Sequence, residues 1–195
     1  MKKIKKIINL KEGNFESEFI FFDNNDKEIL KSMFEAWVLL SQESLIIGST
    51  RTPNFPEALS EAIFSLEMGF ARSTAPISGT SSSFDNYDFK NHKRIQLKAA
   101  SNRTTPSSFG PRSVYDEIYF FYMRSIAENR SPRSFEGKYE IYKLDEEIIP
   151  KIKVNRHQTV HDQQTQGKRP RFSIPEKILD PFNLKALKKG NIDDW

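Results

Sequence analysis

The chain has 195 residues, about 1.3 times a usual domain, so a single domain over 1–195 is expected rather than two. Hydrophobic residues make up 37%, aromatics 12% and charged residues 29%, with a formal net charge of +4. That is polar for a globular chain but aromatic enough to build a core, which argues against wholesale disorder and low complexity. With no cysteine, disulfide frameworks, thiolate-ligated zinc or iron–sulfur centres and every thiol mechanism are excluded.

The opening Met1-Lys2-Lys3-Ile4-Lys5-Lys6 has the basic start of a signal peptide, but its apolar stretch is short and is broken by Lys11-Glu12. No apolar run approaches the roughly 20 residues of a membrane span, so a soluble cytoplasmic protein without membrane association is expected. Residues 26–47 carry Ile29, Leu30, Met33, Phe34, Trp37, Val38 and Leu40 at helical spacing, with Asp23 or Asn25 as the cap. The Trp37 helix is open to two readings, a subunit interface or core. After the break at Thr52-Pro53-Asn54-Phe55-Pro56, a second helix is predicted over Glu57 to Phe70, with Leu59, Ile63, Leu66 and Phe70 as its apolar stripe. Pro56 and Gly69 punctuate its ends. Glu57 and Glu61, four apart, share a face beside that stripe.

Residues 73–83, rich in Ser, Thr, Gly and Pro, read as a loop. Phe84 to Phe89 and Arg94 to Ala100 read as two strands of a hairpin, and Asn102 to Arg112 as a polar loop. The aromatic-rich Val114 to Ala127 fits helix or strand; Tyr139 to Leu144 alternates and reads as a strand. Gln158 to Gly167 is expected to be a loop, Arg171 to Ile174 a short strand, and Ile178 onward a terminal helix or tail. Helical elements over about 1–72, then a catalytic and recognition part over about 73–195 with a mixed central sheet flanked by helices, give an α/β or α+β class.

The chemistry concentrates at Asp85 and at Gln96-Leu97-Lys98. Side chains alternate along a strand, so Gln96 and Lys98 project together, and a hairpin brings Asp85 alongside. A carboxylate and an amide oxygen suit a hard cation such as Mg²⁺. A neighbouring ammonium stabilises hydroxide formed from a metal-held water, the apparatus for attack on a phosphodiester. Charge placement agrees: Phe89 to Arg112 contains no acidic residue, and Lys168-Arg169-Pro170-Arg171 is strongly basic. Basic segments of this kind attract phosphate backbones.

Asn54 to Glu61, Ser82-Ser83-Phe84-Asp85 and Ile95-Gln96-Leu97-Lys98-Ala99 occur in that order, followed by Ser107 to Pro111, Gly137 to Tyr142 and Gly167 to Ser173. This succession resembles the PD-(D/E)XK nuclease superfamily, and more narrowly its small Type II restriction endonucleases. One departure is that Gln96 stands where the triplet usually has an acidic residue. The resemblance implies that a helical Glu supplies the missing charge, so Glu61, or else Glu57, joins Asp85, Gln96 and Lys98, with Mg²⁺ held by Asp85, Gln96 and Glu61. It further implies cleavage of double-stranded DNA to 5′-phosphate ends, a homodimer, a cognate DNA methyltransferase in the same system and a short GC-rich palindromic site. Two other readings stay open: a repair or junction-resolving nuclease on the same core, and a catalytically inactive DNA-binding module.

For base reading, Arg contacts guanine, Asn contacts adenine, and Ser or Thr serves either. Ser101, Asn102, Arg103, Thr104, Thr105, Ser107, Ser108 and Arg112, together with Lys168, Arg169 and Arg171, are the predicted DNA contacts. His157 and His161 match the spacing of a zinc-protease helix, but Gln158 replaces its general base and no third ligand is evident.

Overall fold

The computed structural model describes residues 1–49, 53–74, 84–111, 113–125 and 135–195. Its first 21 residues correct the expected helical opening of the chain. They form a hairpin, β1 (Lys2–Leu10) and β2 (Gly13–Phe21), paired antiparallel from Lys2↔Phe21 to Leu10↔Gly13. The lysines that suggested a leader lie on its outer strand. Ile8, Leu10 and Phe19 are buried beneath it, so the segment is half apolar at a period of two rather than at helical spacing.

Helix α1 (Lys27–Ile46) follows a 3-10 turn over Asn24–Asp26, whose capping box is made by Asp23 and Asp26. Helix α2 (Glu57–Met68) starts after Pro56 and stops at Gly69, whose φ of 70° is the left-handed C-cap that favours glycine. Then come β3 (Ala71–Ser73), β4 (Asn86–Asp88) and β5 (Lys93–Ala100), the last two being the predicted hairpin with a shortened first strand. β6 (Ser107–Ser108) lies within the predicted polar loop. The ambiguous aromatic segment is a strand, β7 (Glu117–Ser125), followed by β8 (Phe135–Leu144). The loop expected at 158–167 contains α3 (Val160–Thr165), capped by Thr159 and Asp162. β9 (Arg171–Phe172) precedes a π-helical turn at Pro175–Leu179. In place of a terminal helix or tail the chain returns as β10 (Lys188–Asn191) and a 3-10 turn.

The strands make an eight-stranded mixed sheet in the order β1-β2-β3-β4-β5-β7-β8-β10, and β6 and β9 pair in a small second sheet. Among the described strands only β5 and β7 run parallel, with Ile95 opposite Glu117 and Lys98 opposite Phe120. One face, through Ile95, Leu97, Tyr119 and Phe121, packs on α1 and α2; the other, through Ile118, Phe120, Tyr122 and Leu144, packs on the α3, β9 and π-turn region. β7 is thus covered on both sides, which is why its sequence is a continuous apolar run without a legible period. No described helix is long and apolar enough to cross a membrane.

Candidate active site

Asp85 stands where β4 and β5 part. Their ladder ends at Asn86↔Ile95, and Asp85 still donates its own N–H to the Ile95 carbonyl at 2.9 Å. Beyond that point the Leu97 N–H donates to the Asp85 carboxylate at 2.6 Å. The Gln96 Nε2 also donates to Asp85 Oδ2. The carboxylate is thereby fixed by the strand that carries Lys98.

α2 brings the other charges. One carboxylate oxygen from each of Glu57, Glu61 and Asp85 lies within 4.8 Å of the other two. Glu57 is exposed at the first turn of the helix, whereas Glu61 is buried. Both helical candidates converge on Asp85, so the expected choice between them becomes a pair. A cavity of about 280 Å³ opens beside them, lined in part by Glu57, Glu61, Leu97, Lys98 and Ser108.

Burial pushes the Glu61 carboxyl up to about 7; the Asp85 charge adds to this, and a hydrogen bond from Arg72 opposes it. Burial likewise raises Asp85 to about 6, against the lowering effects of the Leu97 N–H and the Lys98 charge. Lys98 is held below its ordinary value by burial, while the Asp85 and Glu57 carboxylates pull it back up. Clustered like charges in a poorly solvated place are what these shifts record, and such perturbed groups mark functional sites.

Residue by residue, the chemistry suits a divalent ion. The donors are carboxylate oxygens, the preference of a hard cation. With one oxygen from each within 4.8 Å of the others, the three carboxylates are close enough to be drawn onto a single ion. Gln96 is the exception to the expected ligand set. Its amide nitrogen, not its oxygen, faces Asp85, and its side chain lines a second, smaller cavity with Lys98, Phe109, Tyr115 and Gln164. Glutamate there would set another carboxylate against Asp85 within hydrogen-bonding distance. The neutral amide avoids that repulsion and supplies a donor. Lys98 borders both cavities and lies 6.0 Å from the Phe109 ring centroid.

Arg72 is a residue that the sequence motifs do not single out. From β3 its Nε donates to Glu61 Oε2 at 2.6 Å. Nothing in the local sequence Ala71-Arg72-Ser73 signals this contact, because it depends on β3 entering the sheet beneath α2.

The two basic segments meet as β6 and β9: Ser107 pairs with Phe172 and Ser108 with Arg171, and the Phe109 N–H donates to the Pro170 carbonyl at 3.0 Å. The Phe109 and Phe172 rings stack at 4.6 Å. The predicted DNA contacts fare unequally. Ser101, Thr105, Ser107 and Ser108 line the larger cavity, and the buried Ser108 hydroxyl has no hydrogen-bond partner among the described residues. Asn102 is turned inward on its own loop, accepting from the Thr104 N–H and hydroxyl at 3.0 Å. The Arg103 guanidinium bonds both oxygens of Asp180. Lys168 donates to Gln166 at 2.8 Å. Arg169 and Arg171 are exposed, and the Arg169 charge reaches Lys98. Arg112 lies outside the described residues. His157 precedes the N-cap of α3 and His161 lies within the helix, both exposed, so the pair does not share a helical face.

A family model described as Bsp6I restriction endonuclease matches residues 22–181. The chain belongs to that family. It is a Type II restriction endonuclease, a site-specific deoxyribonuclease. The Type II restriction enzyme Bsp6I of Bacillus sp. (strain RFL6) is 30% identical over 170 residues, which cover 84% of this chain and 88% of that enzyme. No solved structure matches the chain. The family match begins after the β1–β2 hairpin and contains every proposed catalytic side chain as well as Arg72.

Proposed function

We propose that this endonuclease hydrolyses both strands of a short GC-rich palindromic site in a Mg²⁺-dependent reaction leaving 5′-phosphate ends, as a homodimer whose host DNA is protected by a cognate methyltransferase. The observation that carries the reading is the convergence of Glu57, Glu61 and Asp85, from a helix and a strand end, beside Lys98. The three carboxylates would hold the ion. When bound, the ion neutralises phosphate charge and makes water more acidic.

The remaining work falls to side chains. Lys98 Nζ orients the attacking water and hydrogen-bonds the scissile phosphate. Gln96 acts through Asp85, holding its carboxylate in place with Nε2, rather than as a ligand. Arg72 holds Glu61 in the same way. Ser101, Thr105, Ser107 and Ser108 line the floor beside the site, and the exposed Arg169 and Arg171 clamp the backbone or read guanine. Two strands of a symmetric site call for two centres, hence the two-fold pair.

The test is digestion of unmodified plasmid with Mg²⁺ and with EDTA. Discrete bands with Mg²⁺ alone are expected, and Asp85→Ala or Lys98→Ala should lower the rate by at least about a hundredfold while circular dichroism stays unchanged. Cleavage that survives both substitutions, or that proceeds in EDTA, overturns the reading.

A further inference from the structure

Helix α1 is apolar on two faces. Leu30, Phe34, Trp37 and Ser41 are buried against the sheet and α2. Around the other side, Ile29, Met33, Leu39, Leu40, Ile46 and Ile47 stay in solvent, from 41% exposed at Met33 to 83% at Ile47. They recur at spacings of seven: 33, 40 and 47, then 39 and 46, with 29 leading to the small, exposed Ala36. A surface helix ordinarily has polar residues there. Six large apolar side chains in one stripe leave several hundred Å² of apolar surface. That is the size that marks an interaction site, and it approaches the roughly 800 Å² each partner gives to a standard interface.

We infer that this stripe is where a second copy of the chain docks, α1 against α1, in an antiparallel crossing. The inference rests on the homodimer reading above and names its surface. A two-fold interface must be complementary to itself, and the stripe meets that demand in a specific register. Three polar residues fall within it, Ser32, Glu43 and, at its start, Glu28, about five turns before Ile46. The crossing that sets Ser32 of one copy against Glu43 of the other gives the carboxylate a hydroxyl donor. It also sets Ala36 against Leu39, small against large, and Ile29 against Ile46.

Among the described residues, the two edges of the large sheet are rich in charge. Its edge strands carry Lys2, Lys3, Lys5 and Lys6 on β1, and Lys188 and Lys189 on β10, the charged edges that discourage strand addition. The helix is also coupled to the chemistry. The Trp37 Nε1 donates to the carbonyls of Pro53 at 3.2 Å and Asn54 at 3.1 Å, on the segment that leads into Glu57. Joining two copies through α1 therefore fixes the separation of two active centres.

Sedimentation of the full-length wild type, alone and on a DNA duplex, should give a species of twice 22.7 kDa. Leu40→Glu and Ile46→Glu place charges in the stripe at exposed positions where the fold does not need an apolar group. Each should weaken dimerisation by at least about a hundredfold, because burying unpaired charge is costly, and should turn linear plasmid products into nicked circles. The chain has no cysteine, which allows a second measurement independent of those variants. The double variant S32C/E43C should oxidise to a covalent dimer, and neither single variant should. Within one helix these positions lie about 16 Å apart at 1.5 Å per residue, too far for an internal disulfide. A monomeric wild type on and off DNA overturns the homodimer reading itself. A dimeric wild type whose association survives both glutamate substitutions, or whose double variant fails to cross-link, overturns this surface alone.

Discussion

Arg72 on β3 and Glu61 on α2 form an ion pair at 2.6 Å whose carboxylate belongs to the same cluster as Asp85 and Glu57. The pair explains how three carboxylates share so small a space in the free protein. Arg72 pairs with Glu61, the Lys98 charge acts on Asp85 and Glu57, and protonation relieves the rest. Arg72 thus holds a carboxylate that lines the cavity.

The cluster makes stability depend on pH in a definite direction. Folded, Glu61 titrates at about 7 and Asp85 at about 6, against ordinary values of 4.5 and 3.8. The folded state therefore binds more protons than the unfolded chain in this interval, and stability falls as pH rises from about 4 to 7. In EDTA, the melting temperature of the wild type should be higher at pH 5 than at pH 8. Glu61→Gln keeps an acceptor for Arg72 and should raise the melting temperature at pH 8 while leaving pH 5 nearly unchanged. Equal pH slopes for the two proteins would refute the assignment of Glu61 as the strained carboxylate.

The basic residues of the recognition region should differ measurably in DNA binding. Arg169 is exposed with no ion pair among the described residues, whereas Arg103 is already neutralised by Asp180. Arg169→Ala should weaken binding and reduce the slope of log K against log salt by about 1, the loss of one phosphate contact. Arg103→Ala should change the slope far less. Fluorescence anisotropy over a salt series, in EDTA to prevent cutting, measures both; an unchanged slope for Arg169→Ala removes it from the phosphate contacts.

Gly190 is required by a close approach across the sheet. It pairs with Tyr139, and a Cβ at that position would overlap the tyrosine ring and hydroxyl. Tyr139 cannot easily yield, because it is buried and its hydroxyl donates to Glu67 at 2.6 Å. Gly190→Ala should cost about 1–3 kcal/mol, the usual range for overpacking a filled site. Urea unfolding checks this; a midpoint equal to that of the wild type would mean that β10 moves away at no cost.

The two helices, the Asp85 hairpin and the placing of Lys98 on its second strand were legible in the sequence, because helical spacing, prolines and glycine punctuation act over a few residues. The sequence also carried the succession of motifs that pointed to a nuclease. The β1–β2 hairpin and β10 went unread, since the lysines of Lys2–Lys6 mask the alternation at Ile8 and Leu10 and the four residues of β10 are too few and too polar to show one, and α3, a short helix whose capping box is spread over a polar stretch, was misread. The rest lies in contacts between segments far apart in the chain, which exist only once it is folded. Arg72 reaches Glu61 because β3 joins the sheet under α2. Glu57 and Glu61 both approach Asp85 because α2 packs against β5. Arg103 is diverted to Asp180, while Arg169 remains exposed near Lys98. Charges meet across space through the order of strands, and that order is fixed by burying the apolar faces of β5, β7 and β8 rather than by any local pattern around the charges themselves.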